Sequence, residues 1–556
     1  MNLLPARPPA QPVTDPPARL RGQDPYAILA DLENPVYVIG DSGTVRLSAR
    51  PPAGGQALLA AAAPLPPGRL GPAAFRAHHG VQANYMAGAM AGGIAGTELV
   101  RALARAGYLA SFGAAGLSAG RLDAALGTLA RDLPGTPYAC NLIHTPSAPR
   151  LEGLCVDLCL RHRVRCVEAS AFVQLTPDLV RYRATGLRRG RDGSVTVAHR
   201  VVAKVSLPQT AEMFLRPAPE ALVTELLRLG ALTVEQAELA RTVPMADDVT
   251  VEADSGGHTD RRALSVVLPA VLALRDRIGE ERSRTSMPVV SAVPAVRVGA
   301  AGGIGTPHAV AAAFALGAEY VVTGSVNQAT VEAATGDAVK RLLATADVTD
   351  CLMAPAADMF EQGVTVQVLG RGTLFAGRAA LLHRLYRDHD SLDDLSAEQR
   401  RHLEERVLGL PVEEVWRQTR AYLGTHDAGR LARADADPKH RMALVFRWYL
   451  ANASRWATAG DQRRSSDWQI WCGPAMGAFN QWTRDTALAE PDGRHAADIA
   501  GHLMRGAAYL TRLHHLRSSG VHLPRSCDQY RLPPARRVPP PADAAPRRTP
   551  CQSVHS

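Results

Sequence analysis

The sequence predicts a (β/α)8 TIM barrel, an α/β fold, followed by a mostly α-helical C-terminal region. Three observations carry this reading. Between Val81 and about Thr345, a short β-like run followed by an amphipathic helical stretch occurs eight times. The seventh and eighth runs end in glycine-rich loops, where barrels commonly hold phosphate groups. After about residue 345 the β-like runs largely stop and helical periodicity takes over. Eight regular units without a break suit a closed barrel better than an open doubly wound sheet.

In chain order, residues 1–25 are proline-rich without apolar periodicity and read as a disordered arm. Residues 26–80 form an α/β lead-in ending at Phe75 and His79. The barrel strands are expected at 82–88, 108–112, 138–143, 165–169, 201–206, 249–254, 295–300 and 320–323. Helices between them include Thr97–Arg105, Arg121–Arg131 and Pro307–Leu316; Ser118 precedes one helix, and Thr306-Pro307 opens another with proline at its first position. A hairpin over 180–200, turning at Asp192-Gly193, interrupts the fourth unit. The barrel thus spans 81–345. Residues 346–520 are expected to be a mostly helical unit, with helices Arg378–Tyr386, Ala397–Val407, Val412–Tyr422, Met442–Trp456 and Ala496–Leu516. Residues 521–556 read as a disordered Pro/Arg tail.

Composition narrows the function classes. The 556-residue chain is 46% apolar and 21% charged, which excludes a wholly disordered or fibrous protein. Its glycines and prolines follow no Gly-X-Y period, so it is not collagen-like. The formal charge is +9, and Arg536, Arg537, Arg547 and Arg548 of the tail carry about four of those charges against Asp543, leaving a mildly basic body. No basic run is interleaved with aromatics, so nucleic acid is not an expected partner; an acidic partner or anionic ligand is compatible with the charge. Cys155, Cys159 and Cys166 are spaced C-x3-C-x6-C, unlike a zinc knuckle, and read as buried free thiols of a reduced cytoplasm with no metal. The sequence shows no signal-peptide core and no apolar run of about 18 residues, so no membrane span is expected and the location is read as cytoplasmic.

Reactive groups of a barrel lie at the C-terminal ends of its strands. The first strand runs into Ala87 and Gly88, small residues that let a flat ligand approach the backbone; tight packing explains them equally. The third carries Asn141, able to hydrogen-bond a planar heterocycle or to form a turn. The fourth carries Glu168. The fifth carries Lys204, one of three lysines among 62 basic residues, which suggests a site where a guanidinium fork would not serve; a salt bridge to Glu168 or Glu252 is the plainer reading. The sixth gives Glu252, Asp254, Ser255, Gly256, Gly257 and His258. Arg261 and Arg262 would satisfy the two carboxylates, or both would face the mouth, and His258 after two glycines is well placed as a proton donor. The stretch Gly299–Gly305 with Gly302 and Gly303, and Gly324-Ser325 after the eighth strand, offer backbone N–H groups to a phosphate.

These residues carry a resemblance. VEADSGGH, AAGGI and VTGS resemble flavin-dependent barrels such as nitronate monooxygenases and flavin enoyl reductases. The longer strings 85–117, 140–144, 166–183, 249–262, 358–375 and 467–482 resemble the PfaD family, enoyl reductases that act in trans on polyunsaturated fatty acid and polyketide synthases. The resemblance covers roughly residues 26–520 and implies FMN in the barrel mouth and NADPH as hydride donor. It implies that Gly302, Gly303, Gly324 and Ser325 hold the FMN phosphate, and that Ala87, Gly88, Asn141, Lys204, Gly256 and Gly257 lie along its ring. His258 would protonate the substrate α-carbon, and Lys204 would tune the flavin. Leu207-Pro208-Gln209 after Lys204 departs from the familiar pattern. The implied partner is an acyl carrier protein domain, docked through Arg261, Arg262 or Arg371, and a homodimer is compatible with the reading. The alternatives are an oxygen-using nitronate monooxygenase and a non-catalytic flavin-bound synthase scaffold.

Overall fold

The computed structural model describes residues 24–41, 44–146, 149–285 and 295–534. The arm up to residue 23 and Arg536, Arg537, Arg547 and Arg548 of the tail lie outside them. The lead-in holds helix Pro25–Ala30, a three-stranded antiparallel sheet (Val36–Asp41, Thr44–Ser48, Ala57–Ala62) and helix Ala73–His79.

Eight strands then close a parallel barrel: β1 (Tyr85–Ala87), β2 (Leu109–Phe112), β3 (Ala139–Ile143), β4 (Cys166–Ser170), β5 (Arg200–Val205), β6 (Asp248–Glu252), β7 (Arg297–Ala301) and β8 (Val321–Thr323). Closure is made where Thr323 pairs with Ala87. Each strand lies within a residue or two of its expected span except β1, which begins at Tyr85 rather than residue 82. The strands read as near-continuous Val/Ala runs because helices cover their outer face and side chains fill the interior. The expected hairpin over 180–200 is shorter: Arg188–Arg189 pairs with Val195–Thr196, and helix Pro177–Ala184 takes the preceding residues, capped by Thr176.

The helix Ala73–His79 plugs the N-terminal end of the barrel. Phe75 stacks on Tyr320 at 4.5 Å between ring centroids, and the Tyr320 hydroxyl meets the Thr250 hydroxyl at 2.7 Å. Gly299 belongs to this packing and not to a phosphate loop: a Cβ there would lie 2.4 Å from the Tyr320 ring. Beside the plug, Arg297 donates two hydrogen bonds to Asp248, at 2.6 and 2.8 Å, and His79 Nε2 lies 2.7 Å from the same carboxylate. Arg183 and His78 similarly hold Asp247.

Beyond the barrel the expectation that strands stop is wrong at one place. β9 (Cys351–Pro355) and β10 (Thr365–Leu369) form an antiparallel hairpin, and Gly257–His258 pairs on its other edge to make a third strand. Helices Phe375–Asp388, Ala397–His402, Val412–His426, Ala428–Ala436 and Pro438–Ala459 follow, with a core of their own built around Phe375, Leu382, Val415, Phe446 and Tyr449. The last long helix, Ala496–Ser518, shares the barrel's core instead. Its Arg512 donates to backbone carbonyls of Leu29, Asp31, Leu32, Asn34 and Ala63, tying the C-terminal helix to the lead-in. The described cysteines are free, and the sulfurs that converge within 4.8 Å are those of Cys140, Cys155 and Cys159, not the 155/159/166 set. Among the described residues, no helix is long and apolar enough to cross a membrane.

The Asp248 cluster yields a stability prediction. Burial pushes the Asp248 carboxyl up, but the charges and hydrogen bonds of His79 and Arg297 prevail and hold it below the usual carboxylate range; Arg183 and His78 do the same for Asp247. A carboxyl whose folded pKa is depressed contributes stability that is full above the unfolded value of about 4 and is lost as pH falls below it. Arg297→Met leaves Asp248 buried with half its partners and should cost about 3–5 kcal/mol at neutral pH. Denaturant melts of wild type and variant should differ most near neutrality and converge as pH is lowered below about 4.

Candidate active site

The C-terminal ends of the strands bring most of the expected residues into one mouth. At the β1–β8 seam the Gly88 amide donates to the Thr323 carbonyl at 2.9 Å. The next amide, Ala89, donates to the buried carboxylate of Glu168 at 2.8 Å. Asn141 sits beside Glu168 in the β3–β4 register, and its amide donates to the Glu168 carbonyl and the Ser170 hydroxyl, both at 3.1 Å. Asn141 is therefore a strand residue rather than a turn residue.

Lys204 on β5 donates to Glu252 on β6 at 3.0 Å, which is the plainer of its two readings, and the Ser255 hydroxyl donates to the same carboxylate oxygen at 3.1 Å. Burial alone would lower the pKa of the Lys204 ammonium. The charges of Glu252 and Glu168 and the Glu252 hydrogen bond outweigh it, so the group is held above the ordinary lysine value and stays charged. Asp254 is held by Gln367, whose amide donates to it at 2.9 Å and to the Ser255 carbonyl at 2.8 Å. Neither carboxylate is satisfied by Arg261 or Arg262. Both arginines are exposed, with no carboxylate within 4 Å among the described residues, whereas Arg371 pairs with Asp350 at 3.4 Å.

The glycines divide by cause. Gly302 is required by packing, since a Cβ there would lie 2.6 Å from the Ala253 carbonyl carbon. Gly303, at φ +70°, and Gly324 are exposed and face open space, with no atom within 4 Å of a Cβ position. Neither amide has an acceptor among the described residues. The Ser325 hydroxyl accepts from the Gly473 amide at 3.1 Å, which leaves its own proton to donate. Gly256 packs face to face with the chain at 472–473, a Cβ there falling 2.9 Å from the Cys472 carbonyl carbon. Gly257 turns at φ +82° into the short strand that presents His258.

His258 is half-buried, and its Nε2 lies 3.0 Å from Asp358 Oδ2. Asp358 stands in the β9–β10 connection. Sequence alone assigns no role to Asp358, Gln367 or Gly473, although all three fall inside the strings that carry the resemblance. Glycine spacing marks a loop, but nothing local marks a residue some 100 positions away as its neighbour. A fourth group also escapes the sequence: His144 follows β3, lies 3.2 Å from the buried carboxylate of Glu152 and stacks on Phe172 at 5.1 Å.

Known proteins share this architecture. The chain is 44% identical over 515 residues to a subunit of the polyunsaturated fatty acid synthase of Thraustochytrium sp., covering 91% of this chain and 34% of that protein. It is 43% identical to the polyketide biosynthesis protein PksE of Bacillus subtilis, covering 79% and 56%. The crystal structure of the enoyl reductase domain of MlnA, from the macrolactin cluster of Bacillus amyloliquefaciens, superposes with a TM-score of 0.76 at 35% identity, covering 81% of this chain and 99% of that domain. The chain belongs to the PfaD-like enoyl reductase family. It spans between about a fifth and just over half of the length of the curated relatives it matches.

The long excursion after β8 has a relative of its own. Residues 389–468 match the family described as acyl-carrier-protein S-malonyltransferase, inserted helical domain. That stretch lies within the helices that pack around Phe446 and Tyr449, between the β9–β10 hairpin and the returning segment at 470–475.

The close approach at Gly256 is testable. Both neighbours of a new Cβ are backbone atoms, so relief requires the loop or the 472–473 segment to shift. Gly256→Ala should lower stability by about 1–3 kcal/mol, read as a fall in melting temperature. An unchanged melt would show that the mouth loop and this segment part without cost.

Proposed function

We propose that this chain is a trans-acting enoyl reductase that uses FMN and NADPH to reduce α,β-unsaturated acyl thioesters on acyl carrier protein, in polyketide or polyunsaturated fatty acid synthesis. The observation that carries it is the open cradle at the ends of β7 and β8. Gly303 and Gly324 present unengaged amides and no side chains, beside a hydroxyl from Ser325 that can still donate. This donor set suits a phosphate monoester; at the adjoining seam Ala87 and Gly88 are buried, and a Cβ on Gly88 would lie 3.0 Å from Val322. The residues present therefore fit FMN.

The chemistry FMN supplies when bound is hydride transfer between nicotinamide and the β-carbon of the enoyl thioester. The chain's own residues do the rest. Gly303, Gly324 and Ser325 bind phosphate. Asn141, held by Glu168 and Ser170, offers a fixed polar edge beside the ring position. Lys204 brings a positive charge that Glu252 partly neutralises, so its influence on the ring is that of a dipole more than of a free cation. His258 delivers a proton to the substrate α-carbon. Its place on a strand edge, not on a free loop, limits the rotamers it must search.

The carrier-protein docking surface is assigned to Arg261 and Arg262, which follow His258 closely in sequence and have no carboxylate partner of their own among the described residues. Arg371, already paired, contributes less. Acidic carrier domains would meet this edge of the mouth and place the pantetheine arm toward His258.

Three tests discriminate. Gly303→Trp or Gly324→Trp should give folded but colourless protein, by absorbance and mass of released cofactor; full flavin occupancy in either would remove the cradle. Under anaerobic conditions His258→Ala should keep flavin reduction by NADPH while slowing reoxidation by an enoyl-carrier thioester by about 10²–10⁴-fold. Loss confined to the NADPH step would assign His258 to nicotinamide binding instead. Charge reversal at Arg261 and Arg262 should raise KM for carrier-linked substrate and spare a small free thioester.

A further inference from the structure

The structure assigns Asp358 as the positioning residue of His258, contributed to the barrel's site by the hairpin that belongs to the helical region. The inference rests on the reading of His258 as proton donor and adds the group that sets which of its nitrogens does the work.

Four observations converge. Asp358 Oδ2 lies 3.0 Å from His258 Nε2, and Asp358 Oδ1 accepts from the Met359 amide at 3.1 Å, so both carboxylate oxygens are engaged and the group is oriented. His258 is paired by its backbone to Val366 of β10, so the same hairpin holds both the main chain and the ring. Gln367, one residue on, grips Asp254 and the Ser255 carbonyl at the start of the loop that carries His258. The hairpin is itself anchored: Ala354, Ala356, Phe360, Val366 and Val368 are buried in the core of the helical region, and Glu361 pairs with Arg447 at 3.1 Å.

The chemistry follows from the partner. Partial desolvation pushes the Asp358 carboxyl up, although its side chain stays 55% exposed, and the hydrogen bond and charge of His258 prevail and hold it below the ordinary carboxylate value. An ionised carboxylate only accepts, so Nε2 carries the hydrogen that points to Asp358 and Nδ1 is left for the substrate. In turnover the ring, protonated on both nitrogens, gives up its Nδ1 proton, which forms a C–H bond at the α-carbon with the electron pair released by hydride addition at the β-carbon. The neutral ring keeps Nε2–H on Asp358, and a proton taken up from solvent restores Nδ1–H. Among the described residues Asp358 is the one carboxylate within 4 Å of the ring nitrogens.

The test uses full-length protein carrying its flavin, as wild type, Asp358→Asn, Asp358→Glu, His258→Ala and the His258→Ala/Asp358→Asn double variant. Asp358→Asn should retain flavin and its reduction by NADPH, and should slow the enoyl-thioester step on the order of 10-fold. Asp358→Glu should recover part of that loss. In the His258→Ala background, Asp358→Asn should add nothing, because its effect passes through the ring. Nitrogen NMR of ¹⁵N-histidine protein, recorded at a pH where the ring is neutral and with the His258 signals found by difference from His258→Ala, should show the Nε2–H tautomer in wild type and its loss in Asp358→Asn. An additional loss in the double variant, or an equal slowing of both half-reactions, would make Asp358 merely structural and overturn the assignment. If His258→Ala leaves the enoyl step intact, the proton-donor reading falls. A tautomer unaffected by Asp358→Asn overturns the positioning role by itself.

Discussion

Six residues, Ile470–Ala475, hold the mouth of this barrel together, and they do so through backbone contact. The Ile470 carbonyl accepts from Leu369, Trp471 bridges to Val368, and the Cys472 amide reaches the Gln367 carbonyl at 3.4 Å, so the segment lies along β10. Gly473 donates to Ser325 after β8 and presses on Gly256 after β6. The Ala475 carbonyl oxygen would stand 2.3 Å from a Cβ on Gly305 after β7. Three mouth loops and one hairpin thus share a single strip of chain. Side chains at these glycines would force the loops apart, so the geometry of the phosphate cradle and of His258 depends on this absence of bulk.

That dependence explains what is legible in the sequence. The barrel strands are readable because each is a short, largely apolar run followed by a stretch of helical period. The Gly-rich ends of β7 and β8 are readable as a ligand loop because barrels place phosphate there. Gly299, Gly302 and Gly256 fall into the same reading, and the structure gives them packing causes: a tyrosine ring, the Ala253 backbone and the Cys472–Gly473 backbone. Composition alone cannot tell a glycine that admits a ligand from one that admits its own chain. The β9–β10 hairpin escapes for a different reason. Its two strands are five residues each and pair antiparallel with one another outside the eight-unit repeat, and one edge is completed by two residues from near position 258. Val364-Thr365-Val366-Gln367-Val368 does alternate as a strand does; what the local sequence cannot show is the pairing of its far edge with Gly257–His258.

The two ends of the barrel solve the problem of buried charge in opposite ways. At the closed end, Asp247 and Asp248 are each matched by an arginine and a histidine, and the carboxylates are satisfied by the protein itself. Of the two, the Asp248–Arg297 pair ties β6 to β7 directly. At the open end, one lysine faces the two carboxylates Glu168 and Glu252, and the amides of Gly303 and Gly324 have no acceptor among the described residues. The amides of Gly303 and Gly324 are exposed at this end, whereas the charges of the other end are buried and paired within the protein.

The helical region belongs to that open end. Its own core around Phe446 and Tyr449 would allow it to be read as an independent module, and its match to an inserted helical domain supports that view. Yet the chain enters it through β9 and β10 and leaves through Ile470–Ala475, and both connections are parts of the barrel mouth. Gln367 holds the loop at Asp254 and Ser255, and Gly473 holds Ser325. The end of helix Pro438–Ala459 also packs on the barrel side, where a Cβ on Gly336 would lie 2.9 Å from Gly460. The helical region is thus joined directly to the loops that carry Ser325 and His258.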